Sequence, residues 1–473
     1  MRTADQYVEK LKNMRPNVYV GGEVIQRDDP RLLPAINVVS QTFNYANDPQ
    51  YEDLMTAQSH LTGEKINRFC NIHQNTNDLL KKQEMTRFLC GQTGGCIQRC
   101  MGIDALNAIS VVTKEMDKLL GTTYYDRFTN YLNYFQKNDL VGNCAQTDVK
   151  GDRSKRPHEQ EDPDLYLRIV EEREDGIVVR GAKAHNTIAP YADEIIVVPT
   201  RFMTEKDKDY SVSFAIPADT EGVYLVTRIT NPRPRKELKT FEHGSADSLT
   251  VFNDVFVPWE RVFMNGETQF AGQLAMLFAL FHRHSYTGCK PGMTDVIMGA
   301  SALVSEYNGV EKAPHVRDKL ANLITVAELV YGAGIAASVK SKQYSSGTYV
   351  PEPVYANVGR YHAGVNVYHE YDVLADLAGG LPATLPQEEE FISSETGEFM
   401  HKYIMRNPEI TAENQHRCFR MLSDMLCSSH AGVMQVAGIH GGGSPIMEII
   451  AIMGQYDLES KKRIAKNIAG ITD

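Results

Sequence analysis

No strongly apolar stretch in this chain is long enough to cross a bilayer. The longest, around Leu274 to Phe281, falls far short of the roughly 20 residues a spanning helix needs. The N-terminal segment MRTADQYVEKLKNMRP mixes charges through its apolar residues and lacks the uninterrupted core of a signal peptide, so a soluble cytoplasmic protein with reduced cysteines is expected. A basic excess is missing too. Lys+Arg 49 against Asp+Glu 60 gives a net charge of −11, which argues against nucleic acid as a partner. The run Arg233, Arg235, Lys236 and Lys239 is a candidate patch for an anionic small molecule, although a solvated loop is the favoured reading. Low-complexity tracts and obvious repeats are absent. What remains is a globular composition, 42% hydrophobic and 23% charged, in 473 residues, enough for two or three packed units.

Periodicity divides the chain. From Ala4 to about Leu140 apolar residues recur at three- and four-residue spacing, which predicts helices such as Met101–Leu120 and Tyr125–Phe135. The segment NCAQTDVKGDRSKRPHEQEDPD reads as a long loop. From Leu165 to about Phe263 the period changes to two, with a hairpin around Asp175–Gly176 and further strands in EIIVVPT, YSVSFAIPA, GVYLVTRI and SLTVFNDVFVP. Beyond Gly272 the helical period returns. The expected fold is α+β: an N-terminal helical domain over 1–140, a central antiparallel β domain over 141–270 and a C-terminal helical bundle over 271–473.

Eight cysteines are ordinary usage for this length, and a free cysteine is often a small core hydrophobe. Two segments stand apart from that reading. Cys96 and Cys100 in TGGCIQRCMG are four residues apart and would share one face of a helix. His282, Tyr286, Cys289 and Lys290 in FHRHSYTGCK follow i, i+4, i+7, i+8 and would share a stripe that an ordinary amphipathic helix fills with aliphatic residues. Three potential thiolates and one imidazole suit a soft metal or an iron–sulfur cluster. They come from the first and third parts of the chain, so a shared ligand would clamp those parts together.

The order of parts, together with DPQYEDLMT, NRFCNIHQNTNDL, TDVKGDRS, DKDYSVSFA, DLAGGL, HGGGSP and AKNIAGI, resembles the 4-hydroxyphenylacetate 3-hydroxylase group of the acyl-CoA dehydrogenase-like flavoproteins. Within that group it is most similar to the cluster-bearing acyl-CoA dehydratases. The resemblance implies an acyl-CoA dehydrogenase-like fold, a homotetramer and FAD. It also implies a [4Fe–4S] cluster on Cys96, Cys100, His282 and Cys289, leaving Cys70, Cys90, Cys144, Cys418 and Cys427 as buried thiols. The loop Gln146, Thr147, Asp148, Lys150, Gly151, Asp152, Arg153 matches a segment that lines FAD, and Thr187 looks like a further flavin contact. His440, Gly441, Gly442 and Gly443 resemble a glycine turn that brings backbone close to FAD, often from a neighbouring subunit.

The reaction so implied is radical dehydration of 4-hydroxybutyryl-CoA to crotonyl-CoA, with vinylacetyl-CoA Δ-isomerase activity. The thioester does not acidify the β C–H bond. Loss of the α proton and of one electron to flavin does. His282 is the candidate base, and it must then leave the metal or use its other nitrogen. Tyr286 is a candidate donor to the leaving hydroxyl and Lys290 a candidate for stabilising charge there, while His284 points elsewhere. Asp247 stands where the group carries a catalytic glutamate, with the same charge and a shorter reach; Ala437 stands where it carries another. These departures point to a second reading, another 4-substituted or longer acyl-CoA. A flavin-dependent phenol monooxygenase is the alternative that shares the fold.

Overall fold

The computed structural model describes residues 1–231, 233 and 242–471. Arg235, Lys236 and Lys239 of the positive run lie outside the described residues, while Arg233 donates to the Cys427 carbonyl at 2.9 Å.

The chain opens with α1 (Ala4–Lys12), β1 (Val18–Val20), β2 (Glu23–Ile25), α2 (Leu33–Ala46), α3 (Thr76–Thr93), α4 (Cys100–Leu120) and α5 (Tyr124–Lys137). Strands follow: β3 (Gly142–Ala145), β4 (Arg168–Glu172), β5 (Gly176–Thr187), β6 (Glu194–Val197), β7 (Val212–Pro217), β8 (Val223–Thr230), β9 (Ser245–Pro258) and β10 (Val262–Asn265). Helices return with α6 (Thr268–Tyr307), α7 (Pro314–Val339), α8 (Pro353–Ala378), α9 (Ala412–Cys427), α10 (Ser429–His440), α11 (Pro445–Gln455) and α12 (Leu458–Ala469), with shorter elements between.

The strands form a six-stranded sheet, β2-β1-β8-β9-β5-β4, and a four-stranded one, β10-β7-β6-β3. Alternate residues of each sheet enter one core: Ile177 and Val179 on β5 meet Ile195 and Val197 on β6. The hairpin expected at Asp175–Gly176 is present, with Glu172 opposite Ile177. Two features differ from the sequence reading. β1 runs parallel to β8 and β3 parallel to β6, so the β layer is not wholly antiparallel and draws strands from the N-terminal stretch. Strands of three or four residues are too short to register as a period, and β3 runs into the segment read as loop.

Helix α6 is the spine. Its 40 residues extend about 60 Å; the first half packs with α4 and α5 in one apolar core and the second with α8 and α9 in another. Pro291 sits inside it and cannot donate to the Thr287 carbonyl. Gln83 Nε2 on α3 donates to that carbonyl instead, at 3.2 Å. Gly288 and Gly292 let α3 approach α6 closely: a Cβ on Gly292 would lie 2.9 Å from Cys90 Cβ, and one on Gly288 would overlap Thr86. Two stretches, α7 and Ser429–Gln455, have the length and mean hydropathy of a bilayer span, a property that core helices share. This qualifies the reading that no stretch is long enough.

Candidate active site and metal centre

Gly94, with φ of +69°, ends α3, and α4 begins only at Cys100. Cys96 therefore lies in the connecting loop, not on a shared helix face with Cys100, because Thr93-Gly94-Gly95 breaks the helix first. The loop folds sharply at Gln98, with φ of 63°. It is pinned by the buried Arg99, whose guanidinium donates to Thr42 Oγ1 at 2.8 Å and Asp139 Oδ1 at 2.7 Å. The turn still brings the thiols together. Cys96, Cys100, His282 and Cys289 line one cavity, and Cys96 and Cys289 are within hydrogen-bonding reach of each other.

His282 lies beside that group. Its Nδ1 lies 2.9 Å from Asp104 Oδ2, and the ligand atoms of Cys100, Asp104 and His282 all lie within 4.8 Å of one another. Asp104 is fully buried, accepts from Lys82 Nζ at 2.7 Å and from Ser285 Oγ at 2.9 Å. Burial pushes its carboxyl up, but Lys82 and His282 outweigh burial and hold it below the usual range. A carboxylate on one imidazole nitrogen fixes the ring and leaves the other nitrogen for a metal or a proton. Neither Asp104 nor Lys82 was singled out from the sequence, although Asp104 follows Cys100 by one helical turn.

The three thiols are buried and act on one another. Contact with Cys289 and burial push Cys96 up; burial, with Cys96 nearby, pushes Cys100 up; contact with Cys90 leads the causes that push Cys289 up. Three neighbouring sulfurs so held become thiolates when a metal binds. The donor set thus fits a soft metal or iron–sulfur group. Cys90, read as an unremarkable buried thiol, lies against Cys289, and Cys427 is exposed, contrary to expectation.

Tyr286 is stacked edge-on to His282, ring centroids 5.3 Å apart, and burial keeps its phenol protonated against the pull of Arg360. Lys290 is nearly sealed, its Nζ 2.5 Å from Glu370 Oε2, which also accepts from Thr294 at 3.0 Å. His284 is fully buried against Ser338 at 2.7 Å, and burial depresses its imidazole to about 3.

The cavity measures about 1970 Å³, roughly twice the upper size of a drug-sized pocket, so it has room for two ligands. Of the expected flavin loop, Gln146, Thr147, Lys150 and Arg153 line it. Asp148 instead pairs with Lys183 at 3.0 Å, and Asp152 accepts from Ser154 N at 2.9 Å. Gly151 turns the loop with φ of 50°, so these three shape it and do not line the cavity. Thr187 lines the cavity and donates to Asp247 Oδ1 at 2.5 Å, joining two residues that the sequence reading held apart. Burial raises the Asp247 carboxyl. Lys150, Arg153, Arg201 and Arg228 make this wall cationic, with no ion pair to any of them among the described residues.

Gly441, Gly442 and Ala437 face the same cavity from α10 and the turn after it. Arg283 Nε donates to the Gly442 carbonyl at 2.9 Å, and Glu448 Oε1 lies 3.7 Å from that Nε. Burial raises the Glu448 carboxyl to about 7, against the pull of Arg360 and Arg283. Nothing local in the sequence marked Arg283, Arg360 or Glu448.

Residues 3–264 match the N-terminal model of the 4-hydroxyphenylacetate 3-hydroxylase family and residues 271–470 its C-terminal model. The chain is 43% identical over 489 residues, 100% of both chains, to the 4-hydroxybutyryl-CoA dehydratase/vinylacetyl-CoA-Delta-isomerase of Clostridium aminobutyricum. An oxygen-tolerant archaeal 4-hydroxybutyryl-CoA dehydratase from N. maritimus superposes with a TM-score of 0.96 at 38% identity, over 100% of this chain and 95% of that one. The oxygenase component of 4-hydroxyphenylacetate 3-monooxygenase, complexed with FAD, shares the fold at a TM-score of 0.86 and 23% identity, over 99% and 98% of the two chains.

Proposed function

The chain belongs to the 4-hydroxyphenylacetate 3-hydroxylase family, and from that footing we propose that it dehydrates 4-hydroxybutyryl-CoA to crotonyl-CoA and isomerises vinylacetyl-CoA. FAD and a [4Fe–4S] cluster are the cofactors of this reading, and a homotetramer is its assembly. Apolar side chains left exposed on α11 and α12, Ile450 at 57% and Ile468 at 83%, suit contact with further copies. The observation that carries the reading is that Cys96, Cys100, Cys289 and His282 line one cavity, with His282 Nδ1 held by Asp104.

Bound there, the cluster supplies Lewis acidity toward an oxygen and the flavin one-electron chemistry. Cys96, Cys100, Cys289 and His282 hold the former; the cationic wall of Lys150, Arg153 and Arg201 and the Gly441–Gly442 turn suit the latter and the phosphates of CoA. Because Nδ1 of His282 is committed to Asp104, Nε2 is the nitrogen available either to a metal or to the α proton, and the two duties exclude each other at any instant. Tyr286 is placed to give a proton to the departing hydroxyl. Lys290 is paired with Glu370, and Asp247 lines the cavity with Thr187.

A second reading follows from Ala437, which lines the cavity at the position where the resemblance implies a glutamate. The space suits an acyl-CoA with another group at C4 or a longer chain. The test is anaerobic purification with iron and flavin analysis, then turnover of 4-hydroxybutyryl-CoA followed as crotonyl-CoA. Flavin with about four irons per chain and crotonyl-CoA formation is the expected result. Flavin without iron, with hydroxylation of a phenol, would overturn both acyl-CoA readings, and cofactors without turnover of this substrate would select the second.

A further inference from the structure

Arg360 on α8 is completely buried, yet no carboxylate lies within ion-pair distance of it among the described residues. A buried cation without an ion-pair partner is costly and must be balanced by other polar groups, with Glu448 acting on it only from longer range. Its partners are backbone carbonyls. Nε and Nη2 donate to the Gly441 carbonyl at 2.9 and 2.7 Å, and Nη2 also reaches the Ile439 carbonyl at 2.7 Å and that of Gly443 at 3.4 Å. The guanidinium carbon stands 4.5 Å over the ring of Tyr286, a separation at which a cation is attracted to the ring face.

The hydroxyl end and one edge of that phenol are packed against the same turn. The Tyr286 hydroxyl lies against Gly441, where any Cβ would overlap it, and donates to the Ala437 carbonyl at 3.4 Å. Room for the guanidinium is made one helical turn along α8: a Cβ on Gly364 would lie 2.5 Å from Arg360 Nη1. One planar fork therefore holds the carbonyls of the glycine turn and one face of the phenol together, a task that the point charge of a lysine does not reproduce.

We propose that Arg360 is a positioning residue that locks the phenol of Tyr286 and the Gly441–Gly443 turn into one unit, aiming the tyrosine hydroxyl into the cavity. The inference rests on the reading of Tyr286 as proton donor, and the test separates the two. Arg360→Lys, Tyr286→Phe and the double variant are made in the full-length enzyme, and kcat and KM for the acyl-CoA are measured with bound flavin and iron as controls.

Arg360→Lys is expected to lower kcat by about 100-fold, the scale of an ångström-sized misplacement, with KM changed by less than about threefold. In the Tyr286→Phe background the same change should cost less than about threefold, because the group it positions is gone. Gly364→Ala, which crowds Nη1 without removing the guanidinium, should give the same kcat-selective loss if the lysine variant does not fold. Losses that multiply in the double variant, or a rise in KM with kcat intact, overturn the role of Arg360. Full activity of Tyr286→Phe overturns the donor assignment, and with it the inference built on it.

Discussion

Asp104→Asn changes one oxygen to an amide at the point where the imidazole of His282 is held. The carboxylate lies 2.7 Å from Lys82 Nζ and 2.9 Å from His282 Nδ1, and both Lys82 and Asp104 are 0% exposed. Removing one partner of a buried pair leaves the other charge uncompensated, which costs about 3–5 kcal/mol. Loss of the carboxylate that orients a metal-binding histidine lowers metal affinity by about 10–100-fold. The effects can be separated with Lys82→Met. In the double variant the stranded ammonium is gone, so most of the stability returns, but the His282 ring is still unheld and iron is still lost early. The assays are urea unfolding of the protein and the rate at which a chelator strips its iron. Iron held as tightly by Asp104→Asn as by the native protein, or a double variant no more stable than the single one, would refute the account of this triad.

Glu448 gives a pH-dependent term of defined sign. Its carboxyl is raised from 4.5 to about 7, so the folded state carries an extra proton between those values; the contribution is complete below the unfolded value and is lost as pH rises through about 7, with a magnitude on the order of 3 kcal/mol. Glu448→Gln should flatten that fall, read as melting temperature against pH. Gly441→Ala places a methyl on the Tyr286 hydroxyl, and kcat should drop by at least about tenfold while the melting temperature moves only a few degrees, as a displaced catalytic group without a core cavity implies. Arg153→Gln combined with Arg201→Gln removes two cations from the cavity wall that make no ion pair among the described residues and should weaken FAD or acyl-CoA by about tenfold per cation, measured as flavin retained on gel filtration and as KM. An unchanged value for both would show that this wall does not carry phosphates.

The stripe from His282 to Lys290 was legible because it lies within one helix, where spacing alone sets the face. The hairpin at Gly176 was legible for the same local reason. Cys96 was misplaced because spacing was read without the helix-ending force of Gly94 and Gly95 beside it. Asp104 carried a faint signal one turn after Cys100, whereas its meaning depends on Lys82 and on a histidine 178 residues away. Arg360 and Glu448 carried none, since their neighbours are backbone carbonyls and charges brought in by tertiary packing. In the flavin loop the resemblance implied seven FAD-lining residues, but Asp148 had the buried Lys183 to neutralise, a pairing formed only when β5 lies beside the loop.

The amide that Pro291 lacks is supplied by Gln83, a side chain from α3. The run of backbone bonds through Cys289 and Lys290 is thus complete only once α3 has docked against α6. Order of assembly follows from this. The two halves of the sulfur site cannot be pre-formed on separate pieces of nascent chain, because the carbonyl of Thr287 stays open to water until the partner helix arrives. On the proposed reading of Cys96, Cys100 and Cys289 as metal ligands, capture of the metal would be a late event, reserved for a chain in which α3 has already docked on α6.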